Sequence, residues 1–161
     1  MAEVWDDLYV RWVTARVERR HSDLQLVARD SRRAGNNPSA DDVAWLVAAL
    51  ADPDRRWFVL MVYRHQPVPK PLFAPMIQAG ATDTDASGCR LFVEPCVETF
   101  GSDAVISELA RYAAEGGERA ALGYRKCAYW VRPSASFARG MQPNAKRPDA
   151  EPGAPADGGG G

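Results

Sequence analysis

Between Asp41 and Pro133 a short polar turn flanked by apolar helix positions recurs at a nearly constant step. The turn Asp52–Asp54 has Leu46 and Leu50 before it and Phe58 and Val62 after it. Moving 31 residues forward places Ile77, Ala81, Cys89 and Val93 around Asp85, and a further 32 places Leu109, Ala113, Ala121 and Arg125 around Gly117. Arg125 alone departs from the apolar-or-small pattern. A repeated unit of this size cannot bury its apolar flank by itself, so a fixed period implies units that stack on their neighbours. The spacing predicts an all-α chain whose centre is three helical hairpins, over about 39–66, 69–100 and 102–132.

Local signals place the helices. Val4, Trp5, Leu8, Tyr9, Trp12, Val13 and Val17 make a broad apolar stripe on a helix over 3–20. A second helix is expected over 22–34, stopped by the turn-forming run Gly35-Asn36-Asn37-Pro38. Residues 1–37 thus read as an N-terminal helical cap. Ser39 and Asp42 form an Asp variant of the capping box ahead of a helix over 41–50. Asp52 is expected to cap a helix over 53–65 with Pro53 in its first turn. Pro75 and Pro95 predict a bend or a loose first turn in one helix of the second hairpin and a kink in the other. From Pro133 on, Pro, Gly, Ala and Ser dominate and only Phe137 and Met141 are large and apolar, which predicts a disordered tail.

Composition narrows the functional class. The net charge is −1, with seven bases against six acids over 1–37, ten against twelve over 38–132 and three against three beyond. No segment is a basic arm, so charge disfavours nucleic acid and anionic membranes as partners. The longest apolar run, Trp57–Tyr63, has seven residues, against the roughly 20 that a membrane span needs. Cys89, Cys96 and Cys127 are an odd number at uneven spacing, without a CxxC pair. They read as buried, reduced thiols of a cytoplasmic protein and not as metal ligands. Asp52, Asp54, Asp83 and Asp85 are accounted for by capping, and no metal or cofactor is expected.

The runs LVAALADPDRR (46–56) and GERAALG (117–123) resemble the leucine–turn–Asp–Arg–small pattern of HEAT-type repeats, the α-solenoid class that also includes armadillo repeats. FVEPCVETFG (92–101), with a capped helix after it and the late Trp130, is similar to bacterial HEAT-like domains. The resemblance covers about 39–132; Gly88 and the two helix prolines depart from it. It implies a short right-handed α-solenoid with a protein-binding or scaffolding role.

In such a solenoid the second helix of each hairpin lines the concave face, and equivalent positions form ladders. The step gives Arg56, Ser87 and Arg119; Val59, Arg90 and Leu122; and Tyr63, Glu94 and Lys126. Arg56, Tyr63, Arg90, Glu94, Arg119, Lys126 and Trp130 are therefore the candidate docking residues, with Arg90 and Glu94 spaced to pair. The alternative is a solvated face with incidental ion pairs. Trp5, Tyr9 and Trp12 are a candidate exposed stripe for a dimer or partner contact. The resulting expectation is a non-catalytic adaptor for another protein or peptide. Two alternatives remain: a HEAT-like DNA glycosylase or other nucleic-acid enzyme, which the charge disfavours, and an oligomer subunit or toxin-neutralising protein using the N-terminal stripe.

Overall fold

Each polar turn of the repeat separates two helices. The computed structural model describes residues 2–132, so the tail, with Phe137 and Met141, lies outside the described residues. The helices are α1 Ala2–Val17, α2 His21–Gly35, α3 Ala40–Ala51, α4 Arg56–Tyr63, α5 Phe73–Thr82, α6 Ala86–Phe100, α7 Ser102–Glu115 and α8 Gly117–Ala128, with a 3-10 turn at Lys70–Leu72 before α5. Among the described residues there is no strand, and no helix is long and apolar enough to cross a membrane.

Two of the three turns share a side-chain hydrogen bond. The Asp52 carboxylate accepts from the Asp54 backbone N–H at 2.8 Å, and 31 residues on the Asp83 carboxylate accepts from the Asp85 N–H at 2.9 Å. Ser39 and Asp42 complete the capping box of α3, the Ser39 N–H donating to the Asp42 carboxylate at 2.9 Å. The Ser39 hydroxyl, first, holds the Asp42 carboxyl below its usual range. Several boundaries differ from expectation, and the first helix, expected over 3–20, ends at Val17. The helix placed at 53–65 spans only Arg56–Tyr63, because Asp52 also accepts from the Arg55 N–H at 3.3 Å and holds residues 53–55 as a turn. Pro75 lies in the first turn of α5, where a missing N–H has no intrahelical acceptor to lose, and the loose turn expected there is the 3-10 segment. Pro95 does sit inside α6 and leaves the Leu91 carbonyl without its usual donor.

Burial follows the repeat. Leu46, Ile77 and Leu109 occupy equivalent positions and are all fully buried, as are Phe58 with Cys89 and Val62 with Val93. Arg125, the residue that breaks the ladder, is exposed. The two helices of each hairpin pack together, α1 packs on α3, α3 on α5 and α5 on α7, while α2 packs on α4, α4 on α6 and α6 on α8. Strong α5–α8 packing crosses these rows. It depends on Gly123: a Cβ there would stand 2.6 Å from the Ala81 carbonyl oxygen, a backbone atom that cannot move aside cheaply.

Phe58 is the hub of the N-terminal half. Trp5, Tyr9, Trp12 and Trp45 surround it with ring centroids between 5.6 and 6.3 Å away. Trp5 donates to Asp42 at 2.8 Å and Trp45 donates to Asp6 at 3.0 Å, so α1 and α3 exchange indole-to-carboxylate hydrogen bonds. Hydrogen bonds to charged acceptors of this kind are worth about 1.5–3 kcal/mol each before allowance for solvent. This clasp joins α1 to α3.

The cysteines correct the sequence reading. Cys89 on α6 and Cys127 on α8 form a disulfide with their Cα atoms 5.7 Å apart; among the described residues only Cys96 is a free thiol. Side-by-side packing of second helices brings together two residues 38 apart in sequence, and the cysteines no longer argue for a reducing compartment. Burial pushes the Cys96 thiol up to about 12.

Candidate partner-binding groove

The residues expected to line one face divide between interior and surface. Tyr63 is fully buried, and its hydroxyl donates to the Gly35 carbonyl at 3.2 Å, fastening α4 to the end of α2. Desolvation raises its pKa. Arg56 is buried as well. Its guanidinium donates to the Ala79 carbonyl at 3.3 Å and to Thr82 Oγ1 at 3.4 Å in the last turn of α5. Carbonyls without helical partners and the negative end of the helix dipole stabilise the cation there. Both residues hold hairpins together and neither presents a docking surface.

Arg90, Glu94 and Trp130 do meet at the surface. Arg90 donates to Glu94 at 2.5 Å and its guanidinium lies 5.2 Å from the Trp130 ring centroid. The exposed Tyr129 stands edge-on to Trp130 at 5.0 Å. Lys126 is turned away from them, donating to the Asp83 carbonyl. Arg119 is exposed beside Leu122 in a shallow hollow of about 270 Å³ that Lys126 also lines. The seven positions thus split into two structural anchors, a compact pair with its aromatic neighbour, and two residues at another edge.

The N-terminal stripe is interior. Trp5 and Trp12 are buried and Tyr9 is half-buried, all turned toward Phe58. The spacing that predicted an apolar face is correct, but α3 and α4 cover that face within the chain.

What remains open is a groove that the ladders do not contain. A cavity of about 510 Å³ is lined by Trp12 and Arg16 of α1, Arg32 of α2, Trp57, Leu60 and Met61 of α4, Arg64 and His65 just after it, and Leu91 of α6. Trp12, Arg16, Arg32 and Met61 also line a second cavity of about 450 Å³ that extends along α2 to His21. The floor is apolar and aromatic, and the charged residues lining both cavities are all basic. Arg16 lies flat on Trp12, 4.5 Å from its ring centroid. Among the described residues, Arg16, Arg32 and Arg64 make no ion pair, a property they share with Arg19, Arg33, Arg119 and Arg125, whereas Arg11, Arg20, Arg29, Arg55, Arg90 and Arg111 each have a carboxylate partner.

The local sequence does not mark this site. Arg16 and Arg32 sit in last helical turns, where cations complement the dipole, and Arg64 follows the apolar run of α4. Their convergence depends on how α1, α2 and α4 pack. The only signal in the chain was the single excess positive charge over 1–37. Among the described residues no cluster of three or more His, Cys, Asp or Glu side chains is placed to hold a metal ion. No family model, no curated protein and no solved structure matches this chain.

Proposed function

We propose that this chain is a non-catalytic protein-binding scaffold: a short α-solenoid of HEAT-like hairpins, capped by α1 and α2, that docks a protein partner in the groove between its N-terminal cap and α4. The solenoid reading is supported by the order in which helices pack, by the matching burial at the step of 31 and of Leu109 at the step of 32, and by the Asp-x-Asp turn shared by the first two hairpins. The observation that carries the function is the groove itself, with an apolar floor of Trp57, Leu60, Met61 and Leu91 rimmed by cations that have no carboxylate partner. Desolvated apolar anchors supply affinity and peripheral charge supplies orientation, the division of labour that protein interfaces use.

Tyr129, Trp130 and the Arg90–Glu94 pair form a second exposed aromatic surface, but Arg90 is already paired there, so less of its charge is available to a partner.

The test is a comparison of two faces. Proteins captured from the source cell by the wild-type chain are compared with those captured by Met61→Glu in the groove and by a Glu94→Arg/Lys126→Glu variant on the other face. Partners lost with Met61→Glu and retained by the double variant are the expected result. An identical partner list for all three folded chains would sink the reading.

A further inference from the structure

The groove's shape and charge say what kind of segment it takes, an inference that rests on the docking role proposed above. The α2 residues along it are His21, Leu24, Gln25, Ala28 and Arg32, whose spacings of 3, 4, 7 and 11 from the first keep them on one helix face. Eleven residues at about 1.5 Å each give a run of roughly 16 Å, three turns of a second helix laid beside α2. The groove is lined by helices and the segment after α4, so it has no strand edge for an extended peptide to join. Recognition has to come from side chains on a wide apolar floor, which suits an amphipathic helix whose anchors recur at helical spacing.

The rim sets the sign of the charge. Arg16 and Arg32 come from α1 and α2, Arg64 and His65 come from just after α4, and Trp57, Met61 and Leu91 line the same cavity. These three guanidiniums have no carboxylate of their own in a chain with 21 acidic residues against 20 basic ones. A helix with carboxylates beside its apolar stripe would meet these cations. A polynucleotide fits less well, because stacking floors for bases are aromatic and its phosphates call for a continuous basic track. Here Leu60, Met61 and Leu91 are aliphatic, and of the two indoles Trp12 is already covered by Arg16, which leaves Trp57 for stacking.

We propose that the groove binds an acidic amphipathic helix of a partner protein, its apolar residues seated on Trp57, Met61 and Leu91 and its carboxylates paired with Arg16, Arg32 and Arg64. The test uses fluorescein-labelled helical peptides of about 16 residues and the full chain, read by anisotropy at low and moderate salt. One peptide carries leucines at helical spacing among glutamates, a second replaces the glutamates by lysines, and a third scrambles the first. A single-stranded oligonucleotide of similar charge is the fourth probe.

The expected result is at least tenfold tighter binding of the glutamate peptide than of the lysine peptide or the scramble, weakened by salt. Arg32→Glu/Arg64→Glu should abolish or reverse that preference. Arg32→Gln/Arg64→Gln, which keeps both positions polar without opposing the neighbouring charge, should remove it if the first variant does not fold. Equal binding of the two amphipathic peptides, lost in Met61→Glu, would overturn the acidic partner while leaving the docking site. Equal binding of the scramble would overturn the helix. Tighter binding of the oligonucleotide would overturn both in favour of nucleic acid. Failure of every probe would overturn this inference, and the docking site falls separately only if Met61→Glu also leaves the captured partners unchanged.

Discussion

The two halves of the molecule are held by different chemistry. From α1 to α4 the contacts are large and aromatic, with four rings around Phe58 and two indole-to-carboxylate hydrogen bonds across α1 and α3. From α5 to α8 the rings do not form a shared cluster: Phe73 pairs with Phe100 at 4.5 Å, Gly123 packs against the Ala81 backbone and the Cys89–Cys127 bridge joins α6 to α8. Large rings fill an interior, and the groove is lined where α1, α2 and α4 meet beside that cluster. Small residues bring helices together and leave shallower hollows. The candidate site lies on the aromatic half.

Truncating the aromatic hub should give the largest effect. Phe58→Ala removes the ring that Trp5, Tyr9, Trp12 and Trp45 share, at an expected loss of about 3–5 kcal/mol in denaturant unfolding. Near-ultraviolet circular dichroism should lose tryptophan signal with it. A loss under about 1 kcal/mol would mean that the cluster is not what holds α1 against α3 and α4.

Opening the bridge should act on the other half. Cys89→Ala/Cys127→Ala releases a loop closed across 38 residues, for which the chain-entropy model gives at most about 4 kcal/mol at 25 °C. Hydrogen exchange should speed up first in α6–α8, with α1–α4 unchanged. Uniform acceleration along the chain would erase the distinction between the halves.

Alkaline pH should give a smaller, graded effect. Cys96 is protonated in the folded chain up to about 12, whereas the unfolded thiol ionises near 9, so between those values the folded state binds the extra proton. The stability from keeping this thiol neutral is complete below pH 9 and is lost as pH rises toward 12, at up to about 1.4 kcal/mol per pH unit. Tyr63, also raised, should add to the loss above pH 10. Cys96→Ala should flatten the slope by about one proton in unfolding midpoints measured from pH 8 to 11, and an unchanged slope would contradict this account.

Several features are legible in the amino-acid sequence because they are local. The capping box at Ser39 and Asp42, the Asp-x-Asp turns and the periodic apolar positions need only a few neighbouring residues to specify them, and each lies where the spacing predicts it. Gly88, which departs from the repeat, has a structural reason: a Cβ there would meet the Asp83 carboxylate at 2.7 Å and the Trp57 ring at 3.2 Å. The candidate site is less legible. Tyr63 and Arg56 read as surface residues because polar groups on second helices are normally outward, yet both find acceptors on a neighbouring helix end, Gly35 and Ala79, that no sequence pattern reveals. The Trp5–Trp12 stripe is visible as apolar but not as already covered.

The amino-acid sequence by itself determined that the described residues are helical, where the turns at Asp52 and Asp83 fall and that Leu46, Ile77 and Leu109 face inward, since a 3.6-residue period and a capping side chain act within a few residues of themselves. Tertiary structure decided which apolar faces the chain buries in itself, which cysteines meet, and where three arginines without carboxylate partners converge on an open floor. Those outcomes depend on the distance and angle between helices far apart in sequence, set by the volumes of the side chains between them.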